Sequence, residues 1–123
     1  EYSETVCYLV STMKKKLLYI PDIDKWHLWD KDIKEMIKIV DYALLDGTFY
    51  QDGELSRDMS KIPHPFVKES MILFKDLSKQ NKQKVFFTHL NHTNPLIIKE
   101  SKEQFEVKKL GFNFAMDNLV LEL

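Results

Sequence analysis

Three apolar segments of the sequence each end in a residue that can bind a metal ion or exchange a proton. Asp22 follows "LLYIP", Asp46 follows "YALL", and His89 follows "VFFT". Zinc accepts imidazole nitrogen and carboxylate oxygen as ligands, and a carboxylate can bridge two ions. Taken singly, an Asp or a His after a strand usually forms a turn or a structural hydrogen bond. The repeated arrangement therefore carries the prediction of a site where these three residues converge.

His64 is a fourth candidate, because it lies between a long loop and a helix in "IPHPF". Residues 50–63 contain glycine, serine and proline without a hydrophobic period, which predicts a loop, and long loops are often functional. His64 is either a neighbour of the helix N-cap or a general acid or oxyanion stabiliser that faces a cleft. Asp46 could accept a hydrogen bond from His64 or His89 and fix the tautomer of that ring.

The stretch "KVFFTHLNHTNPL" adds further polar side chains directly after a predicted strand. His92 could be a ligand, a substrate contact or a turn residue, and Asn91 and Asn94 suit the turn and the wall of a pocket. His27 lies between Trp26 and Leu28, where a structural role is the better interpretation.

The elements that would position these residues follow from hydrophobic periodicity. Apolar residues at i, i+3, i+4 and i+7 predict an amphipathic helix over residues 30–41 with Asp30 as its cap. Ser101 and Gln104 predict a capping box for a helix that Gly111 ends. The predicted strands are 5–12 and 14–20, which form a hairpin with its turn at Lys14–Lys16, then 42–45, 84–89, and two strands within 112–123 joined at Asp117–Asn118. The predicted helices are 30–41, 64–80 with Pro65 near its start, and 102–110.

Strands that alternate with helices predict an α/β layered architecture, and sites in open α/β sheets lie beyond the carboxyl ends of the strands. The last two strands would be antiparallel, so a mixed sheet is expected.

Composition narrows the classes of function. The net charge is −1 and Arg57 is the only arginine, which argues against nucleic acid as the main partner. No apolar run approaches the ~18 residues of a membrane span. The single cysteine, Cys7, excludes an internal disulfide, is predicted to lie in the core, and fits a reducing, cytoplasmic compartment.

Five motifs taken together resemble a known family: "LLYIPDID", "LLDGTFY", "IPHPF", "FFTHLNHTNP" and "GFNFAMDNLVLEL". In order and spacing they look like the C-terminal half of metallo-β-lactamase-fold proteins, and most like the family of pyrroloquinoline-quinone biosynthesis B proteins. The resemblance covers nearly all 123 residues. It implies half of an αββα sandwich, a mixed sheet flanked by helices, with a metal site at one edge of the paired sheets.

The resemblance also implies roles for individual residues. Asp22 matches the aspartate that bridges two metals, with Asp24 as the alternative, and His89 matches a ligand of the second metal. Asp46 and His64 match a catalytic pair of the endonuclease-like branch. The quinone-biosynthesis family often has glycine where Asp22 stands, so Asp22 makes this chain more similar to a hydrolase that binds metal. Pocket contacts with a small-molecule substrate are expected from Asn91, His92 and Asn94.

One departure from the family is large, because its HxHxDH metal-binding motif and a further histidine ligand are missing from the sequence. Residues 1–123 are therefore expected to be the C-terminal half of the domain, as a fragment or as one chain of a split protein. The expected partner is the N-terminal half of the same fold. A half-sandwich exposes an apolar sheet face, so a homo-oligomer is also possible.

The function expected of the complete protein is metal-dependent hydrolysis of an ester or phosphoester by metal-bound hydroxide, with two zinc ions, or iron or manganese in their place. This chain alone is expected to be inactive. The alternatives are an iron-dependent oxidative enzyme of cofactor biosynthesis and a non-catalytic binding module.

Overall fold

The fold is built on a five-stranded sheet, and the helices lie in the connections between its strands. In the computed structural model, which describes residues 6–123, the strands lie side by side in the order in which they follow along the chain. The hairpin strands β1 and β2 are antiparallel, and β3, β4 and β5 each add in parallel, so the sheet is mixed. The strands are β1 Tyr8–Ser11, β2 Lys16–Ile20, β3 Tyr42–Asp46, β4 Val85–Thr88 and β5 Asn113–Phe114.

The predicted N-terminal hairpin is confirmed, although Thr5 of its first strand lies outside the described residues. Its turn is closed by Thr12, whose hydroxyl oxygen accepts hydrogen bonds from the backbone N–H groups of Lys14 and Lys15. The prediction of a core position for Cys7 is wrong, because Cys7 is exposed. It precedes the edge strand β1, whose four residues are all exposed.

Four α-helices connect the strands: α1 Ile33–Ile39, α2 Val67–Leu73, α3 Lys79–Lys82 and α4 Lys102–Lys109. The predicted helix over 30–41 corresponds to α1, but its cap is not Asp30. The side chain of Asp32 accepts hydrogen bonds from the backbone N–H groups of Lys34 and Glu35, because α1 begins at Ile33 and a cap lies immediately before the first helical residue.

The single helix predicted over 64–80 is two helices. Pro65 precedes the N-cap Phe66, and α2 ends before Phe74, which is fully buried. After a turn that buries Leu77, the side chain of Ser78 accepts a hydrogen bond from Asn81 N–H and caps α3.

At the C-terminal end, Gly111 follows α4 with a φ of +97°, the conformation that glycine adopts most readily, and so ends the helix as predicted. Ser101 caps α4, but Gln104 accepts its hydrogen bond from Glu100 N–H instead of from the cap residue. The turn at Asp117–Asn118 is present, whereas residues 119–123 form no strand. The predicted antiparallel C-terminal pair is therefore wrong, and the sheet is mixed because of β1 and β2.

The two faces of the sheet differ in what covers them. Leu18, Ala43, Leu45, Val85 and Phe87 are buried in one cluster with side chains from α1, α2 and α4. Alternation along the strands places the other side chains on the opposite face, where Asp46, at the carboxyl end of β3, is the one buried strand residue among residues 6–123. That uncovered face is apolar and comprises Tyr8, Val10, Leu17, Tyr19, Leu44 and Phe86.

No helix among residues 6–123 is long and apolar enough to cross a membrane.

Candidate metal and acid–base site

The three strand-end residues lie at the same edge of the sheet. Strands β2, β3 and β4 are parallel, with Ile20 beside Leu45 and Asp46 beside Thr88, so their carboxyl ends are level. Asp22 follows β2 by two residues, Asp46 ends β3, and His89 follows β4 directly. The three residues therefore lie along one edge of the sheet; that they form one site stays a prediction.

Asp46 is fully buried and accepts four hydrogen bonds. Its Oδ2 accepts from the backbone N–H of Ile23 at 3.0 Å and lies 2.7 Å from Nδ1 of His64. Its Oδ1 accepts from the backbone N–H of Thr48 at 2.9 Å and from the Thr48 hydroxyl at 2.7 Å. A buried carboxylate needs such partners, and here they join the segments that follow β2, β3 and the 50–63 loop.

His64 is held between two aspartates at the start of the segment that leads into α2. Its side chain is 18% exposed, and its Nδ1 lies 3.5 Å from Oδ1 of Asp22 as well as 2.7 Å from Asp46. The ring packs edge-on against Phe49. The hydrogen bond to Asp46 raises the pKa of His64; burial acts in the opposite direction, and the negative charges of Asp46, Asp22 and Asp24 add to the rise.

His89 is exposed and has an unusual backbone conformation, with a φ of +61°. A non-glycine residue in this region costs about 1–2 kcal/mol. Its Nδ1 lies 3.1 Å from the hydroxyl oxygen of Thr48. His89 is not one of the three residues whose ligand atoms all lie within 4.8 Å of one another, which are Asp22, Asp46 and His64. We call those three the Asp–His cluster.

The polar residues after His89 do not share one environment. Asn94 is buried, and its amide donates to the carbonyl of Gly47 at 2.7 Å and accepts from Leu96 N–H, so it ties the loop after β4 to the loop after β3. Asn91 donates to the Thr93 hydroxyl, and His92 is exposed. The substrate contacts predicted for Asn91, His92 and Asn94 remain predictions.

Two residues that sequence reasoning missed support this loop arrangement. Thr48 links Asp46 to His89, and the threonine two positions after an aspartate at a strand end was a local signal of a side-chain turn. Glu54 accepts hydrogen bonds from Tyr50 N–H and from the Thr93 hydroxyl, and so joins the 50–63 loop to the loop after β4. No local pattern marks Glu54, because its partner is 39 residues away.

Gly47 allows the two loops to approach. A Cβ atom at this position would lie 2.9 Å from Cβ of Phe87 and 3.1 Å from the carbonyl oxygen of Thr88. Gly47 N–H donates to that same carbonyl at 2.8 Å. The glycine between Asp46 and Thr48 is therefore required by close packing against the end of β4.

Which residues are available to a metal ion depends on which of their donor atoms are not already used in hydrogen bonds. The two carboxylate oxygens of Asp46 already take part in four hydrogen bonds, and Nδ1 of His64 makes one of these. Neither the carboxylate of Asp46 nor Nδ1 of His64 is therefore free to bind a metal. Asp22 is 63% exposed and has His64 as its one near partner among the described residues, and the Nε2 atom of His89 makes no hydrogen bond within residues 6–123. Carboxylate and imidazole donors suit a zinc or similar ion, so Asp22 and His89 stay the predicted ligands on the chemistry of their donor atoms.

Two surface clefts are lined by histidines that the sequence singles out, one by His89 and the other by His27. A cleft of about 430 Å³ is lined by His89, Leu90, Met116 and Asp117, among others. A larger one of about 620 Å³ has exposed His27 in its wall but no member of the Asp–His cluster. His27 is therefore not part of the Asp–His cluster, and its structural role stays a prediction.

A family model, curated relatives and a solved structure that match this chain all belong to similar proteins. The family model for the beta-lactamase superfamily domain matches residues 1–90. Coenzyme PQQ synthesis protein B of Methylorubrum extorquens is 28% identical over all of this chain and 42% of its own length, and that of Acinetobacter baylyi is 28% identical over 87% of this chain and 36% of its own. The crystal structure of Zn²⁺-bound PqqB from Methylobacterium extorquens superposes with a TM-score of 0.78 at 27% identity, over 97% of this chain and 44% of that one.

The superposition gives this chain the mixed α/β fold of part of PqqB. The chain spans about two fifths of the length of the curated relatives it matches.

Proposed function

The chain belongs to the beta-lactamase superfamily, and from this premise we propose that it forms the acid–base half of the active site of a metal-dependent hydrolase. The observation that carries the proposal is the 2.7 Å contact between Nδ1 of His64 and buried Asp46, next to the free carboxylate of Asp22. A pair of this kind fixes an imidazole so that its second nitrogen can exchange a proton with a substrate.

Each residue then has a defined task. Asp22 and His89 would hold a divalent metal together with ligands from other parts of the protein. When bound, the metal would supply Lewis acidity to the reaction. His64 donates a proton from Nε2 to the leaving oxygen of an ester or phosphoester, and Asp46 keeps the other ring proton on Nδ1 throughout. Asn91 and His92 lie on the adjacent loop, where they would contact a small-molecule substrate.

Substitution of single residues tests these tasks in the complete protein. Asp22→Ala and His89→Ala should each lower the metal content measured by elemental analysis. His64→Ala should retain the metal and lose at least about 100-fold in turnover of a chromogenic phosphodiester or ester, the usual contribution of general acid catalysis. His27→Ala is the matched control, because that histidine is exposed and belongs neither to the cluster nor to the cleft beside His89, and it should change neither quantity. Full metal content in both ligand variants would refute the ligand assignment.

A second candidate function is a step in cofactor synthesis, favoured by the name of the relatives, coenzyme PQQ synthesis protein B. Sites built from histidine and carboxylate suit iron as well as zinc. Iron in protein purified without added metal, together with oxygen consumption and no hydrolysis, would favour an oxidative reaction. Zinc together with hydrolysis would favour the first proposal.

We also propose that residues 1–123 are the C-terminal half of an αββα sandwich and that the uncovered sheet face packs on the N-terminal half. Two findings support this: helices cover one face only, and PqqB is more than twice as long. Tyr19→Glu, on the uncovered face, should abolish association with a polypeptide that carries the N-terminal half. Leu9→Glu, an exposed residue of β1 on the other face, is the control and should still associate.

A further inference from the structure

Thr48 connects the two histidines of the site through Asp46. Its side chain is almost completely buried between the carboxylate of Asp46 and the ring of His89. The hydroxyl oxygen lies 2.7 Å from Oδ1 of Asp46 and 3.1 Å from Nδ1 of His89. The backbone carbonyl of Thr48 also accepts hydrogen bonds from Asn91 N–H at 2.9 Å and from the side-chain amide of Asn94 at 3.4 Å, so this residue contacts the segment after β4 three times.

The available protons determine the direction of these hydrogen bonds. The Thr48 hydroxyl has one hydrogen, and an ionised carboxylate has none. Asp46 already accepts from two backbone N–H groups and from His64, so the contact with the Thr48 hydroxyl is one in which Thr48 donates. With its hydrogen used, the hydroxyl oxygen can only accept from His89. The proton of the His89 ring therefore lies on Nδ1, and the lone pair lies on Nε2.

We propose that Thr48 is a positioning residue that holds His89 as the Nδ1–H tautomer and thereby presents Nε2 as the metal-binding atom. The first part, the tautomer of His89, depends on the hydrogen bonds alone. The second part, the role of Nε2 as the metal-binding atom, rests on the proposed function. The left-handed backbone of His89 belongs to the same arrangement, since it carries the ring to the Thr48 hydroxyl at a conformational cost.

NMR of the metal-free protein labelled with ¹⁵N-histidine tests the first part without any activity measurement. Long-range ¹H–¹⁵N spectra distinguish the Nδ1–H from the Nε2–H tautomer. We expect His89 to be Nδ1–H in the wild type and to shift to Nε2–H or a mixture in Thr48→Val, which keeps the shape and removes the hydroxyl. Thr48→Ser keeps the hydroxyl and should preserve the wild-type tautomer. The ring of His27, which is not part of this hydrogen-bond network, should have the same signals in all three proteins.

Two results would overturn the proposal. One is an Nε2–H tautomer for His89 in the wild type, which needs no variant and so does not depend on how Thr48→Val folds. The other is a folded Thr48→Val variant whose His89 tautomer is unchanged.

Zinc titration tests the second part. Thr48→Val should lower the affinity about 10–100-fold, the usual effect of removing a group that orients a ligand, and Thr48→Ser should restore most of it. Unchanged affinity in Thr48→Val would overturn the second part. If His89→Ala leaves zinc binding intact while the tautomer results hold, the proposed function fails and the tautomer assignment stands.

Discussion

Replacing Asp46 by asparagine tests whether the buried hydrogen bonds of this residue hold the site together. Asparagine has nearly the shape of aspartate, but one oxygen becomes an NH₂ group, which donates. Each oxygen of Asp46 accepts from one backbone N–H, either Ile23 or Thr48. Whichever way the amide is turned, one of these buried N–H groups therefore faces another donor.

The expected cost follows from those contacts. An unpaired buried donor costs about 1–3 kcal/mol, and hydrogen bonds to a charged acceptor are each worth about 1.5–3 kcal/mol. The Thr48 hydroxyl can rotate to accept from an amide, so part of the loss is recovered. We expect the free energy of unfolding to fall by about 2–4 kcal/mol in Asp46→Asn.

Urea denaturation monitored by tryptophan fluorescence measures this change. With a slope of about 1.5 kcal/mol per molar urea, the midpoint should fall by roughly 1.3–2.7 M. Asp22→Asn is the matched control, because that carboxylate is 63% exposed and its removal should change the free energy of unfolding by less than about 0.5 kcal/mol. If Asp46→Asn is as stable as the control, the buried carboxylate does not organise the loops, and the reasoning fails.

Three further predictions concern stability and are checked by the same denaturation measurement. Gly47→Ala should destabilise by about 1–3 kcal/mol, since its Cβ would lie 2.9 Å from that of Phe87; a neutral or stabilising effect would contradict the close approach. His89→Gly should be more stable than His89→Ala by about 1 kcal/mol, because glycine adopts a φ of +61° freely; equal stabilities would argue against strain. Asp32→Ala should cost about 1 kcal/mol by uncapping α1, whereas Asp30→Ala should cost almost nothing; the reverse order would restore Asp30 as the cap.

The fold class and the position of the site could be predicted from the sequence because local patterns carry both. Apolar runs with a polar end located β2, β3 and β4, and parallel strands bring such ends to one edge. The prediction failed where an element depends on distant partners. The apolar neighbours of Cys7 predict a core position, but Cys7 is exposed next to the edge strand β1. Residues 119–123 have the pattern of a strand but pair with no strand among residues 6–123.

The sequence by itself determined which groups are available for chemistry: the carboxylates of Asp22 and Asp46, the imidazoles of His64 and His89, and the strand ends that hold them. The tertiary structure alone decided which of their donor and acceptor atoms are already used in hydrogen bonds. Nδ1 of His64 and the carboxylate of Asp46 are hydrogen-bonded to each other. Among the described residues, Asp22 has only the 3.5 Å contact with His64, and Nε2 of His89 makes no hydrogen bond. The physical reason is that hydrogen bonds saturate. Whether a donor or acceptor is free depends on every partner within about 3 Å. The pairs His64–Asp46 and Thr48–His89, which involve both histidines, are separated by 18 and 41 residues along the chain.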